Sequence, residues 1–249
     1  MQSLVAMALL MGDIGGPRAT SSQESTGGSP YRIVRPQGDG PHPAVLFVSG
    51  CSGFAPHEAP DHYPRVAAEF ATRGFVIVFV DYLGARGRQV CGGRISPDDV
   101  GPDILAAAEY ARTLPFVLAS DISVLGWSMG GGGALAAIGA LPGDRPAPFQ
   151  RAIAYYPACW TIATPWRSRV PVLMLLAGRD EVSSNVACVE LVKRVGEGYP
   201  IEVRVYPEAR HAFDVPDLPP LLQRPGGPIG HDSETAAAAA AEVKRFLGR

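Results

Sequence analysis

The segment Gly126-Trp127-Ser128-Met129-Gly130 carries the clearest chemical content of the chain. It follows an apolar run, Ile122 to Gly126, that predicts a strand, and it leads into Gly131 to Leu135, which predicts the start of a helix. A serine at such a strand-to-helix turn is held strained and exposed at the sheet edge, where its hydroxyl can act as a nucleophile. Glycine on both flanks removes the Cβ atoms that would clash in so sharp a turn. The same geometry aims the Met129 N–H and the positive end of the helix at an anion forming beside Ser128. Taken alone, the pentapeptide also reads as a Gly-rich helix cap with an incidental serine; the strand and helix around it favour the nucleophile. Trp127, beside the serine, is a candidate for substrate contact.

A serine hydroxyl needs a base, and the chain has five histidines: His42, His57, His62, His211 and His231. For a nucleophile on this kind of turn, the acid and then the histidine follow in the chain, each on a loop after a later strand. His211 satisfies that order just beyond the predicted strand Ile201 to Tyr206. His231 follows the Pro-rich stretch Val215 to Pro228, has no strand to place it, and reads as a solvated capping residue. Asp180, past the apolar run Val170 to Ala177 and the turn residue Gly178, is the candidate to orient the imidazole and stabilise its charged form. Glu181 competes, Asp214 and Asp217 rank behind because they follow the histidine, and a solvated Arg-Asp-Glu turn is the bland alternative.

A second donor to the anion is expected from the turn after Ala44 to Ser49, with the Cys51 N–H as the choice and Ser52 as the alternative. The Cys51 thiol has no local group that would lower its pKa, so Ser128 keeps the nucleophile role. Beyond Phe75 to Val80, Arg86 or Arg88 could grip a substrate carboxylate bidentately, unless they are ordinary surface arginines. There is no C-x-x-C pair and no His/Cys cluster of zinc spacing, so no metal site is expected. The four cysteines allow three pairings or none, and buried free thiols remain an equal reading.

These residues need elements to position them. Candidate strands are Tyr31 to Val34, Ala44 to Ser49, Phe75 to Val80, Ile122 to Gly126, Arg151 to Tyr156, Val170 to Ala177 and Ile201 to Tyr206. Between them, helical periodicity runs over Tyr63 to Arg73, Pro102 to Thr113, Met129 to Leu141 and Asn185 to Val195, and a last helix over Glu234 to Leu247. Alternating βα units predict an α/β fold, a mostly parallel sheet with helices on both faces, and the continuously apolar strands suit a sheet covered on both sides. Asp13 to Pro30 is Gly-, Ser-, Thr- and Pro-rich, so residues 1–30 read as a flexible leader or, although Leu4 to Met11 matches a signal-peptide core poorly, equally as a signal or anchor remnant; residues 31–249 then form one domain.

Composition excludes other classes. With 249 residues, 22 Lys plus Arg against 24 Asp plus Glu and a net charge of −2, no basic excess is available to neutralise phosphates, so nucleic acid is not an expected partner. No stretch approaches the roughly 20 apolar residues that span a bilayer.

In order along the chain, the Ser49-Gly50-Cys51-Ser52-Gly53 turn, D-Y-L-G-A-R-G, G-W-S-M-G-G, Y-Y-P-A-C, L-A-G-R-D-E and Y-P-E-A-R-H-A-F-D resemble the dienelactone hydrolase family of α/β-hydrolases. The resemblance covers Tyr31 to the C-terminus. It implies a lidless α/β-hydrolase fold acting on small-molecule esters or lactones without a cofactor, through Ser128, Asp180 and His211. Dienelactone hydrolases proper carry a cysteine nucleophile; the serine at position 128 points instead to a carboxylesterase-like member. The resemblance also implies disulfides Cys51–Cys91 and Cys159–Cys188 and export, which favours a secreted or periplasmic over a cytoplasmic location. A peptidase or acyltransferase would use the same three residues, and a noncatalytic binding protein could retain the scaffold.

Overall fold

The computed structural model of the chain describes residues 29–139, 148–160, 162, 166–196 and 198–249. Most of the leader expected over residues 1–30, including its apolar block, lies outside the described residues, as does the end of the helix expected to reach Leu141. In chain order the elements are β1 (Arg32–Val34), β2 (His42–Val48), α1 (His62–Thr72), β3 (Val76–Val80), α2 (Pro97–Arg112), β4 (Val117–Trp127), α3 (Met129–Gly139), β5 (Arg151–Tyr155), β6 (Val172–Ala177), α4 (Asn185–Val195), β7 (Ile201–Tyr206) and α5 (Ser233–Leu247).

The seven strands make one sheet in the order β1-β3-β2-β4-β5-β6-β7. Only β1 runs antiparallel, against β3; the other neighbours are parallel. Side chains alternate between faces along a strand, and β2 shows the consequence. Leu46 and Val48 join the core that receives Val100 and Ile104 of α2, Leu135 of α3 and Leu191 of α4. Val45 and Phe47 join the opposite core, with Phe70 of α1 and Val243 of α5. The sheet is therefore covered on both faces, as its near-continuous apolar strands require.

Two elements start five residues earlier than their sequence patterns predict. Helix α2 begins at Pro97 rather than Pro102, because Asp99 Oδ2 accepts hydrogen bonds from the Ser96 N–H at 2.8 Å and the Ser96 hydroxyl at 2.7 Å, which caps the helix before the apolar periodicity begins. Strand β4 begins at Val117 rather than Ile122; Ser120 and Asp121 interrupt its apolar pattern before Ile122.

The sheet order places the site. From β2 the chain moves outward to β3, then returns to the other side of β2 with β4 and continues outward to β7. The carboxyl ends of β2 and β4 thus flank a point where the winding reverses, and in open parallel sheets that is where a crevice forms. The turn at Gly50 and Cys51 and the turn at Ser128 sit at those two ends.

Candidate active site

Ser128 links β4 directly to α3 and has φ +52°, a left-handed conformation that costs a non-glycine residue about 1–3 kcal/mol unless its surroundings hold it. Three backbone hydrogen bonds do so. The Ser128 N–H donates to Tyr155 O at 2.9 Å, and its carbonyl accepts from the N–H groups of Gly132 and Ala158, each at 3.0 Å. Gly130 is needed for close approach, since a Cβ there would collide with the carbonyls of Val48 and Ser49. The helix start is thereby packed onto the end of β2.

His211 comes from the loop after β7 and Asp180 from the loop after β6. These loops are joined by backbone bonds, Gly178 N–H to Tyr206 O at 2.8 Å and Arg179 N–H to Ala209 O at 2.9 Å. His211 Nε2 lies 3.0 Å from Ser128 Oγ, and Nδ1 lies 2.8 Å from Asp180 Oδ2. The other carboxylate oxygen, Oδ1, accepts from the N–H groups of Val182 at 2.9 Å and Ser183 at 2.8 Å. Asp180 is only 8% exposed and His211 7%, so the carboxylate is withdrawn from water yet supplied with donors. With Nδ1–H donating to Asp180, Nε2 is left free to accept the Ser128 proton.

The competing residues sit elsewhere. Glu181 is exposed and faces Arg210 at 3.9 Å. His231 Nδ1 bonds the Phe213 carbonyl at 2.9 Å, beneath the His211 loop, and is half-buried rather than a solvated cap. Asp217 is ion-paired with Arg65 at the surface.

A cavity of about 260 Å³ opens over Ser128 and His211. Cys51 and Ser52 line it, and a Cβ at Gly50 would touch Ser128 Cβ at 3.4 Å, so the β2 turn faces Ser128 across the crevice. Met129, as the first residue of α3, has an N–H without an intrahelical partner. One wall is apolar, built from Ala59, Val215, Leu218 and Ile229; on another, Arg224 is ion-paired with Glu58 at 2.6 Å.

Arg86 is not part of this cavity, which corrects its reading as a carboxylate grip. Its guanidinium is held by Asp103 at 2.5 Å and by the carbonyls of Tyr82 and Asp99, each at 2.8 Å, so it pins the loop after β3 to α2. Arg88 lines a neighbouring cleft and bonds the carbonyls of Val90 and Cys91. Trp127 does line the cavity, but it is 2% exposed and its indole N–H is engaged by Asp214, so it serves as wall rather than as an open contact. Tyr156, His62 and Tyr63 also line the cavity and had no expected role. Tyr156 had a usable signal: it directly follows β5, the strand beside β4, on the edge that carries Ser128.

Both disulfides are formed, Cys51–Cys91 with Cα atoms 5.0 Å apart and Cys159–Cys188 with 5.1 Å. The first ties the Cys51 turn to the loop before α2, and the second ties the segment after β5 to α4. Among the described residues no group of three or more His, Cys, Asp or Glu could hold a metal ion, and no helix is long and apolar enough to cross a membrane.

A family model, the dienelactone hydrolase family, matches residues 31–249. No curated protein matches the sequence. Solved structures do. The chain is similar to a candidate dienelactone hydrolase from Klebsiella pneumoniae at 17% identity, covering 88% of this chain and 92% of that one with a TM-score of 0.68. A dienelactone hydrolase-like promiscuous phosphotriesterase from metagenomic libraries matches at 18% identity over 88% and 91% with a TM-score of 0.69. Esterase 2 of Thermogutta terrifontis, solved phosphorylated by paraoxon, matches at 15% identity over 87% of each chain with a TM-score of 0.63. At these identities the likeness establishes the α/β-hydrolase architecture.

Proposed function

We propose that this chain, which belongs to the dienelactone hydrolase family, cleaves carboxylic esters or lactones through an acyl-enzyme on Ser128. The observation that carries this reading is the continuous Ser128–His211–Asp180 hydrogen-bonded chain, at 3.0 and 2.8 Å, opening into a cavity. His211 Nε2 takes the hydroxyl proton as Ser128 Oγ bonds the acyl carbon, and the carbonyl electrons move onto oxygen. The N–H groups of Met129 and Cys51 hold that oxyanion. Its collapse breaks the ester C–O bond, and the leaving alkoxide takes the proton from His211. Water then gives a proton to His211 and adds to the acyl carbon, and the second collapse releases the acid while the proton returns to Ser128 Oγ. In a lactone the alcohol and acid remain one molecule.

The small cavity, its apolar wall and an arginine already paired with Glu58 favour short, uncharged acyl or alcohol groups. The neighbours that act on or are phosphorylated by organophosphates suggest a direct probe. A fluorophosphonate should lose fluoride and form one O–P bond, read by intact mass and mapped by peptide mass to Ser128. p-Nitrophenyl butyrate should be turned over by the wild type. Labelling at another residue, or turnover no faster than buffer, would overturn the proposal.

The disulfides further support an oxidising compartment, secreted or periplasmic. Closing loops of 40 and 29 residues contributes about 3 to 4 kcal/mol each in the chain-entropy account. Alkylation of denatured, unreduced protein should therefore modify no cysteine, and reduction should lower both Tm and kcat, because Cys51 also presents an oxyanion donor. Four alkylated cysteines would remove the case for export.

A further inference from the structure

The acyl-transfer steps leave one carboxylate beside the cavity unused. Asp214 stands three residues past His211 with its side chain only 11% exposed. Its Oδ1 accepts from the Tyr156 phenol at 2.5 Å, and its Oδ2 accepts from the Trp127 indole N–H at 2.7 Å. His62 Nε2, buried and without a hydrogen-bond partner, lies 3.5 Å from Oδ2. Burial lowers the His62 pKa against the pull of Asp214, so the imidazole is neutral at neutral pH and supplies no counter-charge. Burial, reinforced by Asp214, raises the Tyr156 pKa, so the phenol keeps its proton and acts as donor. Asp214 is thus held by neutral donors from the ends of β4 and β5.

Both donors touch the reacting residues. Trp127 immediately precedes Ser128. The Tyr156 ring centroid lies 4.5 Å from that of His211, and Tyr156 holds φ +35°, a conformation costing about 1–3 kcal/mol. Asp180 fixes His211 at Nδ1 but does not by itself stop the imidazole from pivoting about that bond. The Tyr156 ring, packed beside it with the two planes at 56°, does.

We propose that Asp214 is a positioning residue: through Tyr156 it holds the His211 imidazole, and through Trp127 it holds the Ser128 turn, so that base and nucleophile stay in register. The inference rests on the serine-hydrolase reading above.

The test uses p-nitrophenyl butyrate with Asp214→Asn, Tyr156→Phe and the double variant, each normalised to competent sites counted by end-point fluorophosphonate labelling. In Asp214→Asn the amide oxygen can still take the Trp127 proton, but the amide NH₂ meets the phenol as a donor, which reverses that bond and removes the charge. Each single variant should lose roughly 10- to 100-fold in kcat per competent site, with KM changed by no more than about 2-fold. The double variant should be no slower than the slower single, because the two residues act as a unit. A merely structural role would reduce the labelled fraction or the Tm and leave kcat per labelled site unchanged; that result, or full additivity, overturns the proposal. If Asp214→Asn does not fold, Tyr156→Phe and Trp127→Phe, each of which removes one of the two bonds, carry the same expectation. Failure of the underlying reading looks different: Ser128→Ala would keep turning over the ester.

Discussion

Ser128→Ala should lose at least roughly 10³-fold in kcat and should still fold with the wild-type circular dichroism spectrum. The loss follows from geometry: Oγ is the atom 3.0 Å from His211 Nε2, and no other hydroxyl is bonded to that imidazole among the described residues. Folding survives because the strained turn is held by backbone bonds to Tyr155, Gly132 and Ala158, none of which uses the hydroxyl. Alanine tolerates the left-handed φ no worse than serine, so the exchange adds no new strain. His211→Ala should lose kcat to a similar degree, and Ser128→Ala/His211→Ala should be no slower than either alone, since nucleophile and base act together. Steady-state turnover of p-nitrophenyl butyrate decides this. A Ser128→Ala variant that keeps most of its activity would remove the serine from the mechanism.

Asp180→Asn should lower kcat by roughly 10³- to 10⁴-fold with little change in KM. The carboxylate fixes the His211 tautomer by accepting from Nδ1–H at 2.8 Å. An amide in its place can present NH₂ to Nδ1, leaving the proton on Nε2, where it can no longer accept from Ser128. The variant should remain folded, because the amide oxygen can still accept from the N–H groups of Val182 and Ser183. Glu181→Gln should be nearly silent, since that side chain is exposed and faces Arg210 instead of the histidine. The reverse pattern would move the acid by one position.

The sequence by itself determined the parts that depend on neighbours in the chain. The turn at Ser128 needs small residues within two positions on either side, and those are Gly126 and Gly130. The central strands could be read because a sheet covered on both faces makes them continuously apolar, and β7, which alternates, and α4 begin and end where their patterns do. Chain order then singled out Asp180 and His211, because in a parallel sheet the strand ends lie on one edge and loops after successive strands become neighbours.

Only the tertiary structure decided what depends on pairs far apart. Four cysteines permit three pairings by spacing alone; the fold realises the pairs the family resemblance implies, Cys51–Cys91 and Cys159–Cys188, by bringing their Cα atoms within 5.0 and 5.1 Å. Arg86 in a polar loop carries no local sign that Asp103, a turn into α2, will take its guanidinium. Asp214 follows the histidine in the chain, which ranks it behind Asp180 as an orienting acid but says nothing about a carboxylate reached by Trp127 and Tyr156, 87 and 58 residues away. His62 had no role in any local pattern, yet α1 buries it beside that carboxylate. The physical reason is common to all of them: hydrogen bonds and ion pairs between side chains act over about 3 Å, and which groups come that close is set by how the strands are ordered and the helices packed, not by spacing along the chain.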